Sequence, residues 1–194
     1  MNHKDNFRYA EVATTNKSRI ASLRYVYRHG TRAVGTDGHR LHIMMGLPEV
    51  EKPFMMTTDE GVTPDSFPNY EIALPTSEVL VCTFRASREE VKALKGLAAI
   101  AGGDCIVKLE RKDGPDELLK FSWESRIGSQ GFRTATIGLE SDGRQARTPV
   151  SMWVDINYLV DAIIPSAEME LWQEANKKIV LKTSSTYAVI MGGV

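Results

Sequence analysis

The sequence predicts an α+β fold with antiparallel sheets, built from a repeated strand–helix–hairpin unit. A β-prone run at residues 79–84 precedes a helical pattern at 88–101, and residues 150–154 precede a second helical pattern at 156–164. Short strands follow each helix, and Phe84 aligns loosely with Trp153. Two such units can pack their sheets edge to edge and place both helices on one face.

Capping residues support both helices. Ser87 is an N-cap candidate for the first helix, and Asp155 is one for the second, which Pro165 ends. The first helix has an apolar stripe formed by Val91, Leu94 and Ala98. The following strands are predicted at residues 105–111, 118–123, 132–139, 178–182 and 187–191.

The first 75 residues show no convincing helix, but alternation predicts strands at residues 23–28, 32–35 and 41–45. Residues 46–78 contain five prolines, which exclude a long helix or a central strand and favour edge strands, loops and a linker. We therefore expect a partial domain at residues 1–76 and a complete domain at residues 77–194.

Composition is that of a globular protein, since 42% of the 194 residues are hydrophobic and 25% are charged. The sequence contains neither an apolar run of membrane-spanning length nor a secretory signal, so we expect a cytoplasmic protein. Cys82 and Cys105 match no zinc spacing and are expected to be reduced thiols. The net charge of −1 argues against a bulk polycation, yet the first 44 residues carry eight basic and three acidic side chains.

Nothing in the sequence favours catalysis, and no cofactor is expected. No histidine lies near a nucleophile elbow, and Gly102-Gly103 follows a helix, whereas a phosphate-binding loop precedes one. A metal site formed by Asp37, His39 and His42 stays an alternative, although a strand would direct the two histidines to opposite faces.

The first helix also carries a row of cations at spacing i, i+4 and i+7, opposite its apolar stripe: Arg88, Lys92 and Lys95. Such a row can follow a phosphate backbone without reading bases. The alternative is an ordinary solvated face. The second helix does not repeat the row, because it carries Asp161.

The most specific signal is residues 36–41, Thr-Asp-Gly-His-Arg-Leu. This string resembles the bacterial DNA polymerase III beta subunit, the sliding-clamp family. Residues 67–70 (Phe-Pro-Asn-Tyr) with Leu-Pro at 74–75, residues 154–161 and the terminal residues 187–194 resemble the same family in the same order.

The resemblance implies a DNA-clamp fold and a non-enzymatic processivity factor. Such a protein would encircle or contact duplex DNA non-specifically, bind DNA polymerase or other clamp-binding peptides, and self-associate as a homo-oligomer. On this basis Arg88, Lys92 and Lys95 would face DNA. The implied partner-peptide site consists of Thr36, Gly38, His39, Arg40, Leu41, Pro68, Ala188, Ile190 and Met191.

Two alternatives stay open. Leu41, Ile190 and Met191 are either the apolar groove of this site, with Arg40 as a polar anchor at its rim, or plain core residues. The protein is either a processivity factor or a clamp-fold interaction module, a regulator that does not encircle DNA. Clamps of this family have three domains, so a ring of this shorter chain would need a different number of subunits.

Overall fold

The computed structural model of the protein describes residues 7–57, 62–101, 106–111, 118–127, 131–142, 150–174 and 178–191. In these residues the α-helices are α1 (Arg8–Glu11), α2 (Arg88–Ala101) and α3 (Ile156–Ala162). The strands are β1 (Tyr27–Gly30), β2 (Arg32–Thr36), β3 (Arg40–Met44), β4 (Val50–Met55), β5 (Glu78–Arg85), β6 (Ile106–Arg111), β7 (Leu118–Ile127), β8 (Gly131–Asp142), β9 (Val150–Asp155), β10 (Glu168–Glu174), β11 (Lys178–Lys182) and β12 (Thr186–Met191). The predicted α+β class is confirmed. None of these helices is long and apolar enough to span a membrane.

The chain forms two compact units. The first consists of Met1–Pro75 with Lys182–Val189, and the second of Thr76–Leu181 with Ile190–Val194. The first stretch of the first unit therefore ends at Pro75, next to the predicted boundary at residue 76. Lys182–Val189, late in the chain, also belong to the first unit. The division into domains at residues 1–76 and 77–194 stays a prediction.

The first unit orders its strands β4-β1-β2-β3-β12. β1 pairs antiparallel with β2 and with β4, and β2 pairs antiparallel with β3. β4 lies at the end of this order, where the missing N–H of Pro53 is tolerated, so the predicted edge strand in the proline-rich stretch is confirmed.

The predicted strand at residues 23–28 is partly wrong. Ala21–Arg24 forms a turn of 3-10 helix, and β1 starts only at Tyr27. The N–H of Leu23 donates to the Ile20 carbonyl and that of Tyr25 to the Ser22 carbonyl, so these donors are used locally instead of in a strand ladder. Apolar spacing alone does not reveal such local bonding.

The expectation that the first 75 residues lack a helix is also wrong, because α1 forms one turn there. Ala10 of α1 is fully buried and packs with Val26 and Ala33. The helix is too short to show an apolar stripe in the sequence, and its packing against the sheet stabilises it.

The repeat is confirmed, as β5-α2-β6-β7-β8 followed by β9-α3-β10-β11-β12. Its alignment needs a correction by one residue. Ser87 and Asp155 occupy equivalent caps, so the buried Phe84 matches the buried Met152 and not Trp153, whose side chain is 45% exposed. A one-residue shift in a strand exchanges its two faces.

Both caps satisfy backbone donors at the helix start. Ser87 Oγ accepts from the Glu90 N–H at 3.1 Å, and the Glu90 carboxylate accepts from the Ser87 N–H at 2.7 Å, which is a capping box. Asp155 Oδ1 accepts from the Asn157 N–H at 2.8 Å. α3 ends at Ala162, two residues earlier than predicted, because Ile163 is already extended ahead of Pro165.

α2 belongs to the second unit and packs its apolar side against other elements of that unit. Val91, Leu94 and Ala98 are buried as predicted, Leu97 joins them, and α2 contacts α3. The strands of this unit follow the order β11-β10-β5-β8-β7-β6-β9. The two helices of the repeat are thus in contact within the second unit.

A buried carboxylate holds the start of the second unit. Glu174, only 3% exposed, accepts from the Thr76 N–H at 2.9 Å and lies 3.1 Å from the Lys178 ammonium. The Thr76 backbone hydrogen bond is the main cause that lowers the pKa of Glu174, and Lys178 adds to it. The carboxylate is therefore held in its charged form.

A bulge in β5 is stabilised by a buried arginine. Leu171 faces Cys82 and Trp172 faces Leu80, so Val81 is an extra residue in β5. Its carbonyl accepts a hydrogen bond from Arg111 Nη1 at 2.9 Å. Burial raises the pKa of the Cys82 thiol to about 11, against the opposing charge of Arg111. Cys105 lies outside the described residues.

Arg111→Met is expected to lower the free energy of unfolding by about 3 kcal/mol, because it leaves the buried Val81 carbonyl without its charged donor. Urea denaturation followed by circular dichroism measures this loss. Arg85→Met is the control, since Arg85 is exposed and its ion pair with Glu168 contributes about 0.5 kcal/mol or less. Equal effects of the two substitutions would show that Arg111 does not hold the bulge.

Candidate functional site

The loop between β2 and β3 carries the most specific sequence string. Thr36 faces Leu41 at its base, and the Thr36 hydroxyl donates to the Arg40 carbonyl at 2.6 Å. The same oxygen accepts from the Gly38 N–H at 3.1 Å. Gly38 has φ +94°, a left-handed conformation that favours glycine.

Asp37 organises the rest of this loop. Its Oδ1 accepts from the N–H groups of His39 and Arg40 at 3.0 and 3.1 Å, and its Oδ2 lies 3.1 Å from Arg40 Nε. Arg40 also donates through Nη2 to the Val12 carbonyl at 2.6 Å. Arg40 therefore points into the unit, with its side chain only 10% exposed, whereas the sequence analysis places it at a rim.

The residues of the alternative metal site have other partners. His42 is fully buried, its Nδ1 lies 2.9 Å from the Tyr9 carbonyl oxygen, and its ring stacks on Tyr9 at 4.7 Å. The Asp37 carboxylate is hydrogen-bonded to the His39 and Arg40 N–H groups and to the Arg40 side chain. In the part of the chain that the structure describes, no group of three or more His, Cys, Asp or Glu side chains is arranged to hold a metal ion.

The candidate peptide-site residues divide by exposure. Five are buried, as plain core residues are: Thr36, Leu41, Ala188, Ile190 and, mostly, Arg40. The exposed candidates are Gly38, His39, Pro68 and Met191, the last at 46%. Met191 and Ile190 belong to the second unit, and the other candidates belong to the first.

Pro68 lies between two members of an aromatic cluster, Phe67 and Tyr70, in the chain. Phe67 stacks on Tyr27 with centroids 4.8 Å apart, and Tyr70 lies edge-on to Phe67 at 6.5 Å. His29 stacks on Tyr27 at 5.8 Å. Burial, with nearby negative charges, raises the pKa of Tyr27. The cluster fixes residues 67–70 against β1.

The three cations of α2 form one exposed row. Arg88, Lys92 and Lys95 are all solvent-exposed, along the edge of the packed side of the helix, since the buried Val91 lies three residues from Arg88 and four from Lys95. The capping box begins the helix at Arg88 and so sets the position of the row. Asp161 of α3 is half-buried.

Comparison with solved structures identifies the architecture. The DNA polymerase sliding clamp from Pseudomonas aeruginosa matches with a TM-score of 0.70 at 15% identity, over 97% of this chain and 63% of its own. The DNA polymerase III beta subunit from Thermotoga maritima gives 0.71 at 17%, over 98% and 63%. The beta chain from Streptococcus pneumoniae gives 0.74 at 15%, over 98% and 62%.

The chain has the sliding-clamp fold. The resemblance inferred from residues 36–41 is thereby confirmed at the level of the fold. The chain spans less than two thirds of the length of these clamps. No protein-family model matches it, and a search of curated protein sequences finds no match.

Within this clamp fold, the loop of residues 36–41 depends on Tyr9, Val12 and His42 as well as on its own residues. Sequence reasoning did not find Tyr9 and Val12 as part of the site. Val12 contributes a backbone carbonyl, which any residue supplies, so no residue type signals it. Tyr9 contributes its ring and its hydroxyl as well as its carbonyl. No sequence pattern indicates the close approach of Gly35 to Ala10 either.

Asp37→Asn is expected to lower the free energy of unfolding by about 2 kcal/mol, because an amide NH₂ placed at Oδ2 would face the Arg40 guanidinium. Urea denaturation measures the change. Asp65→Asn is the control, since Asp65 is an exposed acid of the same unit. A loss no greater than that of the control contradicts the assigned role of Asp37.

Proposed function

We propose that this protein is a sliding-clamp-like processivity factor of DNA replication that contacts duplex DNA non-specifically and binds polymerase peptides. The match to proteins named as DNA polymerase sliding clamps, over 97% of the chain, is the observation that carries the proposal. Such a protein tethers and does no chemistry, so the proposal needs no catalytic group and no cofactor. It would act as a homo-oligomer beside DNA in the cytoplasm.

The row of Arg88, Lys92 and Lys95 supports the DNA contact. These side chains are exposed on a helix whose apolar side chains are packed, so the cations stand at fixed spacing. Cations on flexible stems bind phosphates without reading bases, and a protein that slides needs contacts of this weak, sequence-independent kind.

Salt dependence tests the DNA contact. Replacing both Lys92 and Lys95 with Gln is expected to reduce the slope of log K against log[salt] by about 2, because each phosphate contact contributes about 0.9. Fluorescence anisotropy with a labelled duplex at several salt concentrations measures the slope.

The matched control replaces Lys52 and Lys120, two exposed cations on strands, with Gln, so that the net charge changes equally. Equal slopes for the two double variants would locate the DNA contact elsewhere. A wild-type protein that binds peptide but no duplex would instead be the interaction module that the sequence analysis leaves open. Light scattering with and without circular DNA then gives its oligomeric state.

The exposed members of the candidate peptide set support the partner contact. His39 stands at the tip of a loop whose backbone is fixed by Thr36 and Asp37, and Pro68 directly follows Phe67, a member of the aromatic cluster. Met191 offers an exposed flexible side chain, which adapts to different apolar partners.

Met191→Asp is expected to weaken binding of a fluorescent peptide that carries a hydrophobic clamp-binding motif by at least tenfold, because a charge replaces apolar contact area. Titration calorimetry measures the affinity. Leu118→Asp is the control, since Leu118 is 43% exposed on another strand of the second unit, against 46% for Met191. If both substitutions have the same effect, Met191 is not a peptide contact.

A further inference from the structure

Residues 7–14, here called the N-terminal segment, lie against β2 and β3 of the first unit. The contact is close, because a Cβ atom on Gly35 of β2 would lie 1.9 Å from the Ala10 carbonyl oxygen. The segment therefore packs on backbone at this point, and any side chain on Gly35 would move it away.

Polar contacts hold the same segment from the β3 side. Arg40 Nη2 donates to the Val12 carbonyl, which ends α1, at 2.6 Å. His42 Nδ1 lies 2.9 Å from the Tyr9 carbonyl oxygen, and the two rings stack. The first contact comes from Arg40, a member of the loop of residues 36–41, and the second from His42, the residue directly after it.

The segment also reaches β12. The Tyr9 hydroxyl hydrogen-bonds the Thr186 side chain, and burial raises the pKa of Tyr9. Thr186 Oγ1 lies 2.8 Å from Thr183 Oγ1, within the turn that leads into β12. One short segment thus contacts two of the three chain regions that carry first-unit members of the proposed peptide site, and Pro68 belongs to the third.

Arg40 links the loop to this segment. Its Nε is paired with Asp37 and its Nη2 with Val12, so one rigid guanidinium fork connects the two. Its side chain is 10% exposed. A group committed in this way fixes backbone and is not presented to a peptide.

We infer that Arg40 is a positioning residue, which locks the loop of residues 36–41 to the N-terminal segment and so sets the place of Gly38 and His39. The segment then contributes to the peptide site through its bond with Arg40, without itself contacting the peptide. This inference rests on the proposed function, but its structural half, the coupling of loop and segment, is measured without a peptide.

The experiment compares Arg40→Gln, Arg40→Lys and Gly35→Ala with the wild type. Gly35→Ala displaces the segment from the β2 side and changes none of the polar groups of the loop. Arg19→Gln is the control, because Arg19 is an exposed cation of the same unit. Hydrogen exchange of the His39, Arg40, Val12 and Ala13 amides and the affinity for the fluorescent peptide are measured where circular dichroism shows every variant folded.

Arg40→Gln and Gly35→Ala are each expected to speed exchange at least tenfold in both the loop and the segment, and to weaken peptide binding roughly ten- to hundredfold. Arg40→Lys retains one charged donor and is expected to give intermediate values. The control matches the wild type. A purely structural role would lower thermal stability and leave the affinity of the folded variants unchanged.

Two results would overturn the inference. One is weaker peptide binding by Arg40→Gln with unchanged exchange in the segment, which would make Arg40 a direct peptide contact. The other is normal peptide binding by Gly35→Ala with a loosened segment. If the wild type binds no peptide, the proposed function fails, but hydrogen exchange still tests the coupling of loop and segment. Faster exchange in both the loop and the segment supports the coupling, and faster exchange in the loop alone refutes it.

Discussion

The repeated structure depends on one constraint, the fixed point at which a strand turns into a capped helix. Cys82, Phe84 and Ala86 alternate inward before the cap Ser87. Val150, Met152 and Val154 do the same before Asp155. Because the last inward residue lies directly before the cap in both halves, each helix starts at the same position relative to the strand that precedes it. The exposed side of α2, with its three cations, follows from that start.

Buried guanidinium groups stabilise the irregular points of the backbone. Arg28 donates to the Arg32 and Pro48 carbonyls, Arg40 donates to the Val12 carbonyl where α1 ends, and Arg111 donates to the Val81 carbonyl in the bulge. Val12 stands where the regular hydrogen bonding of α1 ends and Val81 where that of β5 is interrupted, and a buried acceptor without a donor is costly. Burial lowers the pKa of Arg28, yet arginine stays charged. Arginine suits this use because one side chain reaches two acceptors.

Regular alternation and helix caps could be predicted from the sequence, and interactions distant in sequence could not. The caps at Ser87 and Asp155 follow from local chemistry, and both helices were placed by them. β10 is an exception, because the sequence prediction omits it although acidic residues alternate with the buried Met169 and Leu171 in the pattern of a strand. The bulge at Val81 depends on Arg111, thirty residues away, and the turn at Ala21–Arg24 on local backbone bonds. For the site, the loop string was found, but the direction of Arg40 was not, because its acceptor is a carbonyl.

The loop string is specific because its own conformation requires most of it. Thr36 closes the base, Asp37 holds two N–H groups, Gly38 takes a positive φ, and Arg40 ties the loop to Val12. Because the loop conformation requires these residues, their presence is evidence for the fold, whichever partner the loop binds. Recognition has to come from what the fold leaves exposed, and here that is the loop tip at Gly38 and His39. The sequence match therefore indicates the architecture, and Arg40, through its bonds to Asp37 and Val12, holds that tip in place.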